Sequence, residues 1–135
     1  MAGHLIRRLH QQSTQVFQAR TQAAGLDLTS VQFAALDAIA QASDLDQASL
    51  AATIGFDRAT IGGVVDRLEQ KGYVQRVVNA QDRRARQLNL TPEGQALLAA
   101  SRPVVEALQA PILAPLSAAE RATFMRLARK ALGLG

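Results

Sequence analysis

The stretch DQASLAATIGFDRATIGGVVDRLEQKGYVQR, residues 46–76, decides how this 135-residue chain folds. Asp46 is placed to cap a short helix running through Ile54, with Leu50, Ala51 and Ile54 turned inward. Gly55 ends that helix in the left-handed conformation that glycine adopts at little cost. Asp57 then caps a second helix, Arg58 to Gln70, whose Ile61, Val64, Val65 and Leu68 make an apolar stripe before Lys71-Gly72 closes it. Two helices meeting across a tight glycine turn are the arithmetic of a helix-turn-helix.

Working outward, Tyr73 to Val78 is rich in β-formers and Gln87 to Leu90 alternates, so the polar segment between them reads as the tip of a hairpin. A hairpin directly after a helix-turn-helix is a wing. Thr91, Pro92 and Glu93 supply the cap and first turn of a long helix carrying Leu97, Leu98, Val104, Val105 and Leu108. Pro103 is expected to kink or break that helix, and Pro111 and Pro115 to mark a linker after it. Ser117 with Glu120 forms a capping box for a last helix with Phe124, Leu127, Ala128 and Leu132 on one face.

Toward the N-terminus, Thr29 and Gln32 form another capping box, opening a helix from Ser30 to Ala42 with Phe33, Leu36 and Ile39 at helical spacing. Before it, Leu5, Ile6, Leu9, Val16 and Phe17 predict a first helix from Leu5 to Ala24, stopped by Gly25. The fold expected is mainly α, a winged helix-turn-helix within a single domain, with no internal repeat. Residues 29–91 form the winged lobe, flanked by helices in 1–28 and 92–135. Those outer helices carry more apolar surface than a wing domain can cover, and pairing with a second copy buries it most economically.

The chain has no cysteine, which excludes disulfides, thiolate chemistry and cysteine zinc sites together. Its two histidines, His4 and His10, lie six apart without metal-ligand spacing, so no metal is expected. No phosphate-binding glycine loop and no histidine downstream of a reactive serine are present, so neither an enzyme nor a cofactor is expected. Apolar runs fall well short of the roughly 20 residues of a membrane span, and the N-terminus lacks a signal-peptide run, which predicts a cytoplasmic protein. The net charge of +4 and a pI near 10.6 favour polyanion partners, but only the placement of the charge gives that weight.

That placement is uneven. The hairpin tip reads DRRAR, with Asp82, Arg83, Arg84 and Arg86 together, where a turn that only had to fold would take asparagine and glycine. The opening GHLIRRLHQ groups His4, Arg7, Arg8 and His10 within two helical turns. Phe17, Phe33 and Tyr73 read as core rather than as a ligand cage.

In order and spacing, LTSVQFAALDAI, DQASLAATIG, DRATIGGVVDRLEQKGYVQR, DRRARQLNLTPEG and LSAAERATFMRLARKAL resemble the successive helices and wing of the MarR family of bacterial transcription regulators. The resemblance covers essentially the whole chain and implies a homodimer on a double-stranded DNA operator. It places Arg58, Ala59, Thr60 and Gly62 at base edges in the major groove, with Arg67, Lys71 and Arg76 on phosphates. In the wing it implies that Asp82 holds Arg84 for insertion into the minor groove, with Arg83 and Arg86 on phosphates. The chain departs from the commoner pattern at Gly62-Gly63, where many members carry a polar residue and an arginine. Two glycines in a helix cost about 1 kcal/mol each relative to alanine. Either close approach of DNA or close packing against another helix would offset that.

The same resemblance points to the branch of the family associated with aromatic-acid catabolism. A small aromatic acid effector, of the hydroxycinnamate, benzoate or pyridine carboxylate class, is then expected to bind near His4, Arg7, Arg8 and His10, with an arginine forking its carboxylate. A solvent-facing basic patch is the alternative for those four residues. For the whole protein the implied function is a ligand-responsive repressor; the alternative is a ligand-independent architectural DNA-binding dimer.

Overall fold

The computed structural model describes residues 1–42, 45–78 and 86–135. In chain order the elements are α1 (Ala2–Ala23), α2 (Ser30–Gln41), α3 (Gln47–Ile54), α4 (Arg58–Gln70), β1 (Val74–Val78), β2 (Arg86–Leu90), α5 (Pro92–Glu106), α6 (Gln109–Ile112) and α7 (Ala118–Ala131). The fold is a mainly helical winged helix-turn-helix.

Side chains set most helix starts. The Thr29 hydroxyl accepts from the Gln32 N–H at 3.2 Å while the Gln32 amide oxygen accepts from the Thr29 N–H at 3.0 Å, the reciprocal pairing expected of a capping box. Ser117 and Glu120 repeat it at α7. Asp46 and Asp57 each accept a backbone N–H three residues on, at 2.7 Å, opening α3 and α4. Between those helices Gly55, at φ 78°, turns the chain and returns its N–H to the Ala51 carbonyl.

The core sits where α2, α3 and α4 meet the hairpin. Leu36, Leu50, Ile61, Val65 and Leu68 are fully buried there, joined by Val74 and Leu88 from the strands. Phe17 and Leu98 bring α1 and α5 onto this core, and the Phe17 and Phe33 rings stack tilted at 6.5 Å. The strands pair antiparallel with Val74 opposite Leu90 and Arg76 opposite Leu88. The segment entering α3 extends this pairing, since the Leu88 N–H donates to the Leu45 carbonyl at 2.9 Å and Asp46 bridges Gln87.

Two expectations are corrected. Of the kink or break expected at Pro103, the break is absent: the helix continues to Glu106, with the proline in its last turn withdrawing one N–H. The stretch expected as a linker contains a helical turn, α6, with Pro111 inside it. The Gln12 amide ties α1 to that turn by donating to the Ile112 carbonyl at 2.7 Å.

The outer helices behave differently from the lobe. No residue of α7 is buried, and Leu127 and Leu132 are 49% and 73% exposed. At the start of α1, Leu5 and Ile6 are 59% and 64% exposed.

Candidate nucleic-acid interface and effector cleft

Helix α4 has two working faces. Ile61, Val65 and Leu68 fix one against the core. At 100° per residue, Thr60, Gly63 and Arg67 then align on the side away from it, with Ala59 beside them, and all four are exposed. Arg58 is exposed at the helix start and Gly62 is half-buried. Ala59, Thr60 and Arg67 thus present an outward surface on α4, and Arg58 is exposed because it opens the helix.

Thr60 is constrained by its own cap. Its hydroxyl donates to the second Asp57 carboxylate oxygen at 2.9 Å, while its N–H donates to the first. With its proton committed to Asp57, the hydroxyl is left as an acceptor, and beside it stands a methyl group. Such a group suits a base amino donor or a thymine methyl better than a phosphate oxygen. The cap bonds from Thr60 hold the Asp57 carboxyl below its ordinary range; for Asp46 the Ser49 N–H does the same, aided by the Arg58 charge.

The two glycines have different surroundings. A Cβ on Gly62 would stand 3.1 Å from the Gln47 amide nitrogen of α3, a side-chain tip that would have to give by a few tenths of an ångström to admit it. A Cβ on Gly63 would meet nothing within 4 Å. No packing demand within the described residues accounts for glycine at 63.

At the wing, Arg86 begins β2, exposed, opposite Val78. Asp82, Arg83 and Arg84 fall outside the described residues. Arg76 does not stand as a free phosphate ligand. It shares the inward face of the hairpin with Val74 and Leu88, its side chain is 16% exposed, and Asp66 and Glu69 of α4 engage its guanidinium. Lys71 pairs with Asp27 at 3.2 Å. Alternation from Val74 would have shown Arg76 to face inward, but nothing local revealed which acceptors await it.

His4, Arg7, Arg8 and His10 are all exposed along the first turns of α1, and their side chains meet no hydrogen-bonding partner among the described residues. Arg8 borders an open groove with Leu5, Leu9, Gln12 and Gln15. A more enclosed cleft of about 320 Å³ lies further along the helix, between α1 and the start of α2, lined by Thr14, Phe17, Gln18, Thr21, Leu28 and Ser30 among others. Sequence reasoning missed it. Its signal was present, because Thr14, Gln18 and Thr21 recur at helical spacing on a helix read mainly for its apolar stripe. Among the described residues, no group of three or more histidines, aspartates or glutamates is placed to hold a metal ion, and no helix is long and apolar enough to cross a membrane.

Comparison with known proteins gives this architecture its family. Residues 28–85 match the family model described as MarR family. The transcriptional regulator HosA of Escherichia coli is 38% identical over 129 residues, spanning 96% of this chain and 93% of its own length. The HTH-type transcriptional repressor NicR of Pseudomonas putida is 38% identical over 128 residues, 95% of this chain and 80% of its own. Among solved structures, Bordetella bronchiseptica BpsR, whose DNA binding is regulated by 6-hydroxynicotinic acid, superposes with a TM-score of 0.88 at 30% identity, covering 97% of this chain and 92% of that one. A mutant E. coli MarR complexed with operator DNA superposes with a TM-score of 0.86 at 29% identity, covering 96% and 92%. With the ordered helices, the wing and near full-length identity in agreement, the chain belongs to the MarR family of winged helix-turn-helix transcriptional regulators.

Proposed function

We propose that this protein is a cytoplasmic, homodimeric repressor that binds a pseudo-palindromic operator and is released from it by a small aromatic carboxylate. The observation that carries the reading is the outward face of α4, where Ala59, Thr60, Gly63 and Arg67 lie exposed on a helix whose opposite face is locked into the core, with Arg58 exposed at its start. A helix held that way presents its N-terminal turns to base edges and its later cations to phosphates. Residues 29–91 make the DNA-binding lobe, with Arg86 and the wing residues Asp82, Arg83 and Arg84 at the neighbouring minor groove. Residues 1–28 and 92–135 make the pairing surface, consistent with the exposed leucines of α1 and α7.

For the effector, BpsR and its 6-hydroxynicotinic acid support a hydroxylated aromatic acid as the ligand class. The cleft between α1 and the start of α2 sets the polar side chains of Thr14, Gln18 and Ser30 beside Phe17 and Leu28, and Arg7 and Arg8, with His4 and His10 as further hydrogen-bonding groups, stand earlier on α1, outside its lining. Release follows when the ligand prefers the spacing of recognition helices that does not fit the operator. The architectural alternative drew its support from the glycine pair, and the contact of Gly62 with Gln47 removes half of that support.

The test is fluorescence anisotropy on the DNA upstream of the protein's own gene, at fixed salt. Hydroxycinnamates, benzoates and pyridine carboxylates, 6-hydroxynicotinate included, are then added in turn. Tight binding to that DNA over random sequence, reversed by one class of acid, is the expected result. Binding equal to that on random DNA and indifferent to every acid would replace the repressor with the architectural reading.

A further inference from the structure

We propose that Arg76, Gln47 and Gly62 form a clamp that fixes the wing against the recognition helix, making Arg76 and Gln47 positioning residues for DNA recognition. The inference rests on the DNA-binding reading above and adds to it what sets the angle between its two contact elements.

The clamp is centred on one guanidinium. From β1, Arg76 Nη2 donates to Asp66 Oδ1 at 2.6 Å and to Gln47 Oε1 at 3.1 Å, while Nη1 donates to Glu69 Oε1 at 3.0 Å. The Arg76 backbone N–H approaches the other Glu69 oxygen at 3.4 Å. One side chain thus joins a wing strand to α4 and α3 together. Two carboxylates already surround this cation, so a DNA phosphate approaching it would meet net negative charge.

Helix geometry prepares the seat. Gly62, Asp66 and Glu69 stand at i, i+4 and i+7, which aligns them along the flank of α4 between its core face and its outward face. Asp66 and Glu69 supply the acceptors, and Gly62 supplies space. With no side chain at 62, the Gln47 amide lies against α4, its nitrogen where a Cβ would crowd it and its oxygen on Arg76. The departure from the family pattern at 62 thus falls where the Gln47 side chain of another helix lies against α4. At the wing's other strand, the bond from Leu88 to Leu45 and the bridge between Asp46 and Gln87 tie β2 to the chain just before Gln47. The hairpin is thus held to the helix-turn-helix from both strands, and the Arg76 clamp reaches the recognition helix through side chains.

The guanidinium's fork is what spans three acceptors; an ammonium keeps the charge but not the geometry. Arg76→Lys and Arg76→Gln are therefore expected to weaken binding to the specific DNA alike, each by about tenfold, a loss of about 1.4 kcal/mol. A phosphate contact would instead tolerate lysine. Arg86→Ala reads the wing's own contribution: its penalty should shrink in the Arg76→Gln background, because a misplaced wing has less to lose. Gly62→Ala should weaken binding in the native background and add nothing further to Gln47→Ala.

Hydrogen exchange of the β1 and β2 amides in free protein tests the clamp without DNA, and it should quicken in both Arg76 variants. A wild type that treats operator and random DNA equally overturns the functional reading, and exchange then still judges the clamp. Unchanged exchange, or wild-type affinity in Arg76→Lys with additive effects of Arg86→Ala, overturns the clamp itself. Should an Arg76 variant fail to fold, Gln47→Ala, which removes one acceptor of the clamp, carries the test: quickened exchange of the β1 and β2 amides supports the clamp, and unchanged exchange overturns it.

Discussion

The winged lobe and the terminal helices carry apolar stripes of similar spacing and bury them very differently. In the lobe, Leu36, Leu50, Ile61, Val65 and Leu68 disappear completely from solvent. On α7 no residue is buried, and the leucines that make its stripe stand open, as do Leu5 and Ile6 on α1. The polar groups follow the same division. The lobe spends its inward cation, Arg76, on three acceptors, whereas Arg7 and Arg8 of α1 meet none among the described residues. A helical stripe therefore reports that a face needs covering without saying what covers it, and the proposed second copy is what would cover the terminal helices.

The sharpest test of the lobe's completeness is a single added methyl. Gly94 is buried in the first turn of α5, and a Cβ there would run into the Tyr73 carbonyl, which already accepts the Thr91 N–H at 3.1 Å. Backbone on both sides cannot yield as a side-chain tip would. Gly94→Ala is expected to cost about 2–3 kcal/mol in urea unfolding, and a cost under about 0.5 kcal/mol would show the wing-to-α5 junction to be loose.

The opposite behaviour is expected on α7. Leu127→Asp disturbs no buried contact within a chain, so amide protection in the lobe should persist while the mass by light scattering falls by half. A variant that keeps its full mass would remove α7 from the pairing surface. On α4, Gly63→Ala should raise stability by about 0.5–1 kcal/mol, since the site is open and helical, yet lower operator affinity severalfold if the helix backbone approaches DNA there. Unchanged affinity would assign that glycine no part in recognition.

The smallest effect concerns acid. Asp46, Asp57 and Glu120 have carboxyl pKa values lowered by the backbone N–H bonds of their caps. A lowered value contributes stability that is complete above the unfolded-state pKa, near 3.8 for the aspartates, and is lost as pH falls through the folded-state value. The thermal midpoint should therefore be flat above about pH 5 and decline below pH 4. Asp57→Asn keeps a cap acceptor without a titrating charge and should make that decline shallower. An identical acid limb would mean that other carboxyls govern it.

Much of this was legible in the residues. Both capping boxes, the caps at Asp46 and Asp57 and the turn at Gly55 are local, decided within a few residues by side chains that satisfy free backbone donors. The outward surface of α4 followed from its apolar period. The effector cleft was less legible, because its lining comes from two helices and the loop between them.

The sequence by itself determined the order of the elements other than α6, the capped helix starts and the family pattern, since each depends on short-range periodicity and capping. Only the tertiary structure decided that Pro103 leaves α5 running to Glu106, that Arg76 faces two carboxylates, and that the Gln47 amide lies against Gly62. The physical reason is distance along the chain. Gln47, Gly62, Arg76 and Leu88 lie on four different elements, and which of them touch is fixed by how apolar faces pack.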